Sequence, residues 1–472
     1  MLELERKSVL VTGLNARALA VCRTLVRLGA RAVVVDSAPV AATNVVAREL
    51  REMGAMVMEG VDALPKGEFA LAISCREGIF NEAIRAAGIE LISELEFGFQ
   101  ITRCLVLAVG GTNGRGTTSR LIEQVLMANQ RRTTVCGEKR LPVCTAAESS
   151  HEMDYLLVNA SPSQLENTCF FRPSVAVLTN LAPDDLGCFS SREAYLKACA
   201  RLFHNQQSFD WAIVQSDALA GLREIGVPLP AKIITFSATD SEADIFLDRG
   251  LLISRMPDWP GPLMNLEQCS LHGPHNAENL MAALAVGRVL RLPLDRMVDA
   301  LQKFEAGPHR CNLVAEINGV RYVDDSAAWN SHALRQALLT VHPGFGSKPN
   351  VILIAGGRER GGEYHDLGPI LAGRVKQALL LGPSAAKMSA AWRLFTPCAG
   401  ADSLLEAVSV AANSAAPGDV ILFSPACSSV DQSLDDNIQG VAFCAAVNSL
   451  DGAARPPAHN GNNDKPENGV EK

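Results

Sequence analysis

The 472-residue chain is longer than one hydrophobic core usually organises, so two to three domains are expected. Apolar residues at 48% and charged residues at 20% exclude a mainly disordered chain. A net charge of −8 supplies no basic face for nucleic acid or an anionic membrane surface, and neither partner is expected.

The opening residues, Met1 to Thr12, carry no basic segment followed by an apolar stretch and a small-residue cleavage site; they run directly into a strand-like segment. The longest apolar runs, such as Val351 to Ala355 and Ala378 to Leu381, fall far short of the roughly 20 residues a spanning helix needs. A soluble, cytoplasmic protein is expected. The 13 cysteines form no CxxC pair and the nine histidines no HxxxH or zinc-type cluster, so reduced thiols packed as small apolar residues are expected.

In chain order, Ser8 to Thr12 reads as a strand, Ala16 to Leu28 has helical apolar spacing, and Ala32 to Asp36 reads as a second strand. The intervening turn, Gly13-Leu14-Asn15-Ala16-Arg17-Ala18, keeps only the first glycine of a GxGxxG fingerprint, with Asp36 near the place of a ribose-binding acid. Without the second and third glycines the backbone is not open to close pyrophosphate approach, so a mononucleotide-type fold is expected rather than a nicotinamide site. Leu71 to Ser74 and Glu90 to Ile92 continue the alternation and close a first domain over residues 1–101.

A second domain is expected over residues 102–306. Leu105 to Val109 reads as a buried strand, Gly110-Gly111-Thr112-Asn113-Gly114-Arg115-Gly116-Thr117-Thr118 as a glycine loop, and Ser119 to Met127 as a helix. Strand, glycine loop and helix form the context of a phosphate cradle, because backbone N–H groups and a helix N-terminus converge on an anion. Further strands are predicted at Tyr155 to Val158, Val175 to Thr179 and Trp211 to Val214. The stretch His275-Asn276-Ala277-Glu278-Asn279 opens an alanine-rich helix reaching about Leu290. A third domain, residues 307–450, has predicted strands at Arg321 to Val323, Val351 to Ile354, Ala378 to Leu381 and Val420 to Phe423, a parallel α/β pattern. Residues 451–472 contain almost nothing apolar and are expected to be a disordered tail.

Five motifs in order carry a family resemblance: Gly111-Thr112-Asn113-Gly114, His275-Asn276 with Asn279, His309-Arg310, Asp325-Ser326, and Ser424-Pro425-Ala426-Cys427. This set resembles the Mur ligases. Ser161-Pro162-Ser163-Gln164-Leu165-Glu166 and the stretch Asn180 to Asp185 narrow it to the branch adding D-glutamate to UDP-N-acetylmuramoyl-L-alanine, over Ser8 to Leu450. The resemblance implies three α/β domains: an N-terminal Rossmann-like domain for the uridine nucleotide, a central P-loop-type domain for ATP, and a C-terminal Rossmann-like domain for the incoming amino acid. It implies an ATP-dependent amide-forming ligase of cell-wall precursor synthesis, using Mg²⁺ and acting as a monomer. ATP phosphorylates the precursor's carboxylate, and the amine then attacks the acyl phosphate.

Carried over residue by residue, the resemblance places ATP on Gly111, Thr112, Asn113, Gly114, Arg115, Gly116, Thr117, Asn276, Asn279, Arg310 and Asp325. It places the precursor and amino acid on Gly13, Leu14, Asp36, Arg360 and Ser429, catalytic roles on Arg115, Asp185, His309 and Arg310, and metal ligation on Thr117 and Asp185. Several positions depart from the family pattern. Arg115 replaces the loop lysine, Gly116 a hydroxyl residue that ligates Mg²⁺, Asn159 a metal-binding glutamate, and Cys199 a carbamoylated lysine. Asp185 replaces a metal-binding histidine; it is an acceptable oxygen ligand, and with Asp184 equally fits a loop-capping role. Asp325-Ser326-Ala327-Ala328-Trp329-Asn330 lacks the family's lysine and threonine for the glutamate side chain. A forked guanidinium is a poor replacement for a compact ammonium between phosphates, and Mg²⁺ prefers anionic oxygen to amide or thiol. Impaired or lost catalysis is therefore expected. The alternatives are a non-catalytic homologue that binds a nucleotide or UDP-precursor and acts through partners, and a ligase for a different amino acid.

Overall fold

Three sheets, each parallel at its centre, organise the chain. The computed structural model describes residues 3–37, 44–76, 78, 80–138, 140–182, 189–305, 307–341, 348–358, 364–427 and 437–450. The expected tail, 451–472, lies outside them. Among the described residues no helix is long and apolar enough to cross a membrane.

The first sheet is all parallel, in the spatial order Met56–Glu59, Arg31–Asp36, Ser8–Thr12, Leu71–Ser74, Leu91–Ser93. Its central strand is buried on both faces, which is why Val9, Leu10 and Val11 read as an unbroken apolar run.

The second sheet has nine strands. Leu105–Gly110 lies between Val175–Leu178 and Tyr155–Asn159, with Thr133–Gly137 at the adjacent edge. Beyond Trp211–Gln215 and Lys232–Ser237 the chain continues as Ile245–Asp248, Leu251–Ser254 and Gly261–Asn265, paired antiparallel to one another. The two-residue turn Arg249-Gly250 has positive φ at both positions, 46° and 83°, as a hairpin matching strand twist requires.

Acidic side chains tie these two sheets together. Glu96 accepts the backbone N–H groups of Cys169, Phe170 and Phe171 at 2.9–3.0 Å, and Glu94 that of Cys144 at 2.8 Å. The first two sheets accordingly share one compact unit, Met1–Ala306, and the second unit is Gly307–Lys472.

That second unit holds a six-stranded sheet in the order Asn312–Ile317, Val320–Asp324, Val420–Phe423, Val351–Gly356, Val375–Leu381, Cys398–Ala401. Only the first pairing is antiparallel. Val351, Ile352, Leu353 and Ile354 are fully buried at its centre.

Candidate nucleotide and precursor site

The glycine loop leaves its strand at Gly110 and enters a helix at Arg115, four residues before the predicted start. Gly114 is the N-cap at φ 81°, so Arg115, Gly116 and Thr117 form the first helical turn. Their N–H groups have no intrahelical acceptor and are available to an anion. Two of the glycines are sterically required. A Cβ on Gly111 (φ 126°) would stand 2.2 Å from Thr179 Oγ1, and one on Gly114 2.6 Å from Asn279 Oδ1. Asn180 Oδ1 accepts the Asn113 N–H at 2.9 Å, and the Thr179 hydroxyl donates to the Asn113 carbonyl at 2.6 Å. Thr112 is held by the Tyr195 hydroxyl and accepts the Ala182 N–H at 2.8 Å.

Asn279 and Asn276 are engaged within the protein. Asn279 Oδ1 accepts the Thr118 hydroxyl at 2.9 Å, its Nδ2 donates to Asn276 Oδ1 at 3.2 Å, and Asn276 Nδ2 donates to the His272 carbonyl at 2.9 Å. Asn279, 5% exposed, therefore braces the loop from the start of the Pro274–Val289 helix.

The arginine in place of the loop lysine is already engaged within the protein. Arg115 Nη1 is 2.6 Å from Glu138 Oε2 and donates to the Ala160 carbonyl at 3.0 Å. Beside it, the side-chain oxygen of Asn159 is buried without a hydrogen-bond partner. A Cβ on Gly116 would meet nothing within 4 Å, so the missing hydroxyl was not excluded by space. Cys199 is 1% exposed, and burial pushes its thiol up to about 12. Lys197 is no replacement: it pairs with Glu193 at 2.5 Å on an exposed helix face.

The described residues fit a nucleotide phosphate cradle but not a Mg²⁺ site. Asn159 brings no charge, Cys199 no oxygen, and no group of three or more His, Cys, Asp or Glu among the described residues is placed to hold a metal. Thr117 remains half-exposed at the start of the helix; Asp185 and Asp184 lie outside the described residues.

In the first sheet Asp36 is fully buried. It accepts the Leu14 N–H at 2.8 Å and pairs with Arg76 Nη1 at 2.9 Å, so it fixes the turn and an arginine. Gly13, at φ 95°, packs its Cα against Arg76: an added Cβ would be 2.5 Å from Arg76 Cβ. Asn15 Oδ1 caps the following helix by accepting the Arg17 and Ala18 N–H groups.

Between the ends of these strands and the Pro162–Glu166 helix lies a cavity of about 580 Å³, lined in part by Arg17, Arg76, Arg85, Asn81, Ser163 and Gln164. Asn81 Oδ1 and Gln164 Nε2 are buried there without hydrogen-bond partners. Arg76 pairs with Asp36 and Arg85 with Glu166, whereas no carboxylate among the described residues lies within 4 Å of the Arg17 guanidinium. Glu82 and Glu166 line it too, and Arg17 with the unmet amide atoms suits a polar ligand carrying an anionic group.

In the second unit, His309 Nδ1 donates to Asp324 Oδ2 at 2.6 Å with His309 at φ 63°. Gly440 leaves room for its ring: a Cβ there would be 2.0 Å from Nδ1. Asp325 is 8% exposed and has both oxygens engaged, Oδ1 by the Cys311 N–H at 3.1 Å and Oδ2 by the Ser424 hydroxyl at 2.9 Å. Burial raises its carboxyl to about 7, against the lowering effect of these bonds and of Arg310. Arg310 is exposed, and Arg360 and Ser429 lie outside the described residues.

Sequence reasoning missed Glu138, Arg76, Arg17 and Asp324. Only Arg17 carried a signal, as a cation in the first turn of the helix after Gly13. The others matter through partners distant in sequence.

Residues 109–287 match the Mur ligase middle domain, and residues 309–427 match the Mur ligase glutamate ligase domain. The chain is 34% identical over 465 residues to the UDP-N-acetylmuramoylalanine–D-glutamate ligase of Geobacter metallireducens, covering 96% of this chain and 100% of that one. It is 32% identical over 461 residues to the protein of the same name from Acidobacterium capsulatum, covering 96% and 98%. In fold it is similar to the MurF ligase of Thermotoga maritima in complex with ADP, at TM-score 0.60, 18% identity and coverage of 94% and 98%. It is also similar to a pseudomurein peptide ligase type C from Methanothermus fervidus, at TM-score 0.59, 14% identity and coverage of 93% and 99%. Two domain matches in order, and relatives aligned along their length, place this chain in the Mur ligase family.

Proposed function

We propose that this chain works in peptidoglycan precursor synthesis as a cytoplasmic, monomeric Mur ligase homologue. It binds a nucleotide on the glycine loop and a UDP-N-acetylmuramoyl-L-alanine-like precursor in the Arg17 cavity, with amide formation lost or strongly slowed. The carrying observation is the engagement of Arg115 by Glu138 and Ala160. Moving a terminal phosphoryl group requires cations around the charge that develops, and this chain's loop cation already faces a carboxylate. Backbone N–H groups of Arg115, Gly116 and Thr117 would hold the phosphates, and Thr179, Asn180 and Asn279 keep the loop in shape. In the precursor cavity Arg17 would meet the anionic ligand, with Asn81 and Gln164 supplying the unmet amide oxygen and nitrogen. No step is assigned to Mg²⁺, because the described residues do not assemble its ligands.

A second reading, an active ligase for D-glutamate or another amino acid, is favoured by the 34% identity over the full length of a relative named as a D-glutamate ligase. One assay separates the two. Purified full-length protein receives ATP, Mg²⁺, UDP-N-acetylmuramoyl-L-alanine and D-glutamate, with phosphate release and melting temperature measured. The first reading expects phosphate release near blank together with a raised melting temperature in ATP or ADP, since a ligand that binds only the native state stabilises it. Robust turnover supports the second reading, and an unmoved melting temperature sinks nucleotide binding.

A further inference from the structure

We propose that Glu138 is a built-in competitor for the nucleotide's phosphates: its carboxylate holds the Arg115 guanidinium, so a bound diphosphate gains that cation only by displacing Glu138. The inference rests on the glycine loop being a nucleotide site and adds the residue that regulates access to it.

The geometry supports it from both ends. Arg115 is the first residue of the helix, so its N–H lies in the anion cradle while its guanidinium reaches sideways to Glu138 Oε2 at 2.6 Å and the Ala160 carbonyl at 3.0 Å. Glu138 is held where it meets that guanidinium. Its N–H donates to the Asn159 carbonyl at 2.8 Å, and the preceding Gly137, at φ 105°, passes so close that a Cβ would stand 2.3 Å from the same oxygen. The two side chains are 16% and 21% exposed, so solvent screens the pair only partly.

To a guanidinium, a carboxylate and a phosphate present equivalent planar pairs of acceptor oxygens, so the two compete for one fork of N–H donors. The carboxylate acts through the arginine: it neutralises the one cation of the first helical turn. Protein and phosphate oxygens exchange on a single residue, and no larger movement is required.

The test is ADP binding in EDTA by calorimetry, using full-length wild type, Glu138→Gln, Arg115→Ala and the double variant, with adenosine as the phosphate-free control. Glu138→Gln is close to isosteric, and thermal melts verify that each variant is folded. The expected result is roughly three- to tenfold tighter ADP binding by Glu138→Gln, with adenosine unchanged and Arg115→Ala equal to the double variant within about twofold. Equal or weaker binding by Glu138→Gln overturns the proposal. So does an equal gain in the Arg115→Ala background, because simple repulsion by the carboxylate would then suffice. If neither wild type nor any variant binds ADP, the nucleotide site itself is refuted and the proposal falls with it; wild-type binding with no Glu138 effect refutes the proposal alone.

Discussion

The Thr118 hydroxyl donates to Asn279 Oδ1 at 2.9 Å, joining the N-terminal parts of two helices through residues 161 apart in sequence. The same oxygen faces Gly114, whose missing Cβ permits the approach. The loop's shape is therefore imposed from outside the glycine motif.

Replacing Asn279 with Ala leaves the buried Thr118 hydroxyl without its partner and opens a gap against Gly114. Destabilisation of about 1–3 kcal/mol in chemical denaturation is expected, with a smaller ADP-induced rise in melting temperature. Wild-type values for both would show that Asn279 does not brace the loop.

Gly111 and Gly116 should respond oppositely to Ala. At Gly111 the new Cβ collides with Thr179 Oγ1 at a φ disfavoured for L-residues, so a loss on the order of 2 kcal/mol or more is expected, with loss of nucleotide binding. At Gly116 the Cβ enters open space in a helix, where Ala is tolerated or stabilising by up to about 1 kcal/mol. Comparable denaturation midpoints for the two variants would contradict the loop geometry.

Arg17 and Arg76 both line the cavity beside the first sheet, yet among the described residues only Arg76 of the two forms an ion pair with a buried carboxylate. Arg76→Ala removes the half-exposed cation of the pair with buried Asp36 and is expected to destabilise the chain by roughly 1–2 kcal/mol. Arg17→Ala should change stability by less than about 1 kcal/mol while weakening binding of a UDP-linked anionic precursor about tenfold. Titration of UDP-N-acetylmuramoyl-L-alanine alongside thermal melts distinguishes the two, and an unchanged Arg17→Ala affinity would remove Arg17 from the site.

Asp325 gives the second unit a pH dependence of defined sign. Its folded pKa, about 7, lies above the usual carboxylate value, so burial favours the protonated form. Its stabilising contribution is complete below about pH 4 and is lost as pH rises through about 7. Between pH 5 and pH 8 wild type should lose stability relative to Asp325→Asn, on the order of a few kcal/mol, as read by denaturation of the full chain. Parallel pH profiles for the two proteins would show that this carboxyl does not titrate in that window.

Much of the fold was legible locally. Leu105-Val106-Leu107-Ala108-Val109 before a glycine run reads as a buried parallel strand because both of its faces are covered, and the observed strand extends it by one residue. The helix after the loop was placed too late, because Arg115, Gly116, Thr117 and Thr118 lack apolar periodicity and Gly116 is a weak helix former. The edge strand Thr133–Gly137 and the meander from Ile245 to Asn265 were not predicted, since short edge strands are defined by their neighbours more than by their own pattern. Asp36 was placed correctly at a strand end, but its burial against Leu14 and Arg76 was invisible from spacing.

By itself the sequence determined the family, the α/β class and the strand, glycine loop and helix unit, because strand periodicity, glycine placement and motif order are properties of neighbouring residues. Tertiary structure alone decided that Arg115 faces Glu138, that Asn279 holds Thr118 and that Asp325 is occupied by Cys311 and Ser424. Those pairings depend on crossover connections that bring distant strand ends and helix starts together. A charged side chain's chemistry is set by the partner it meets there.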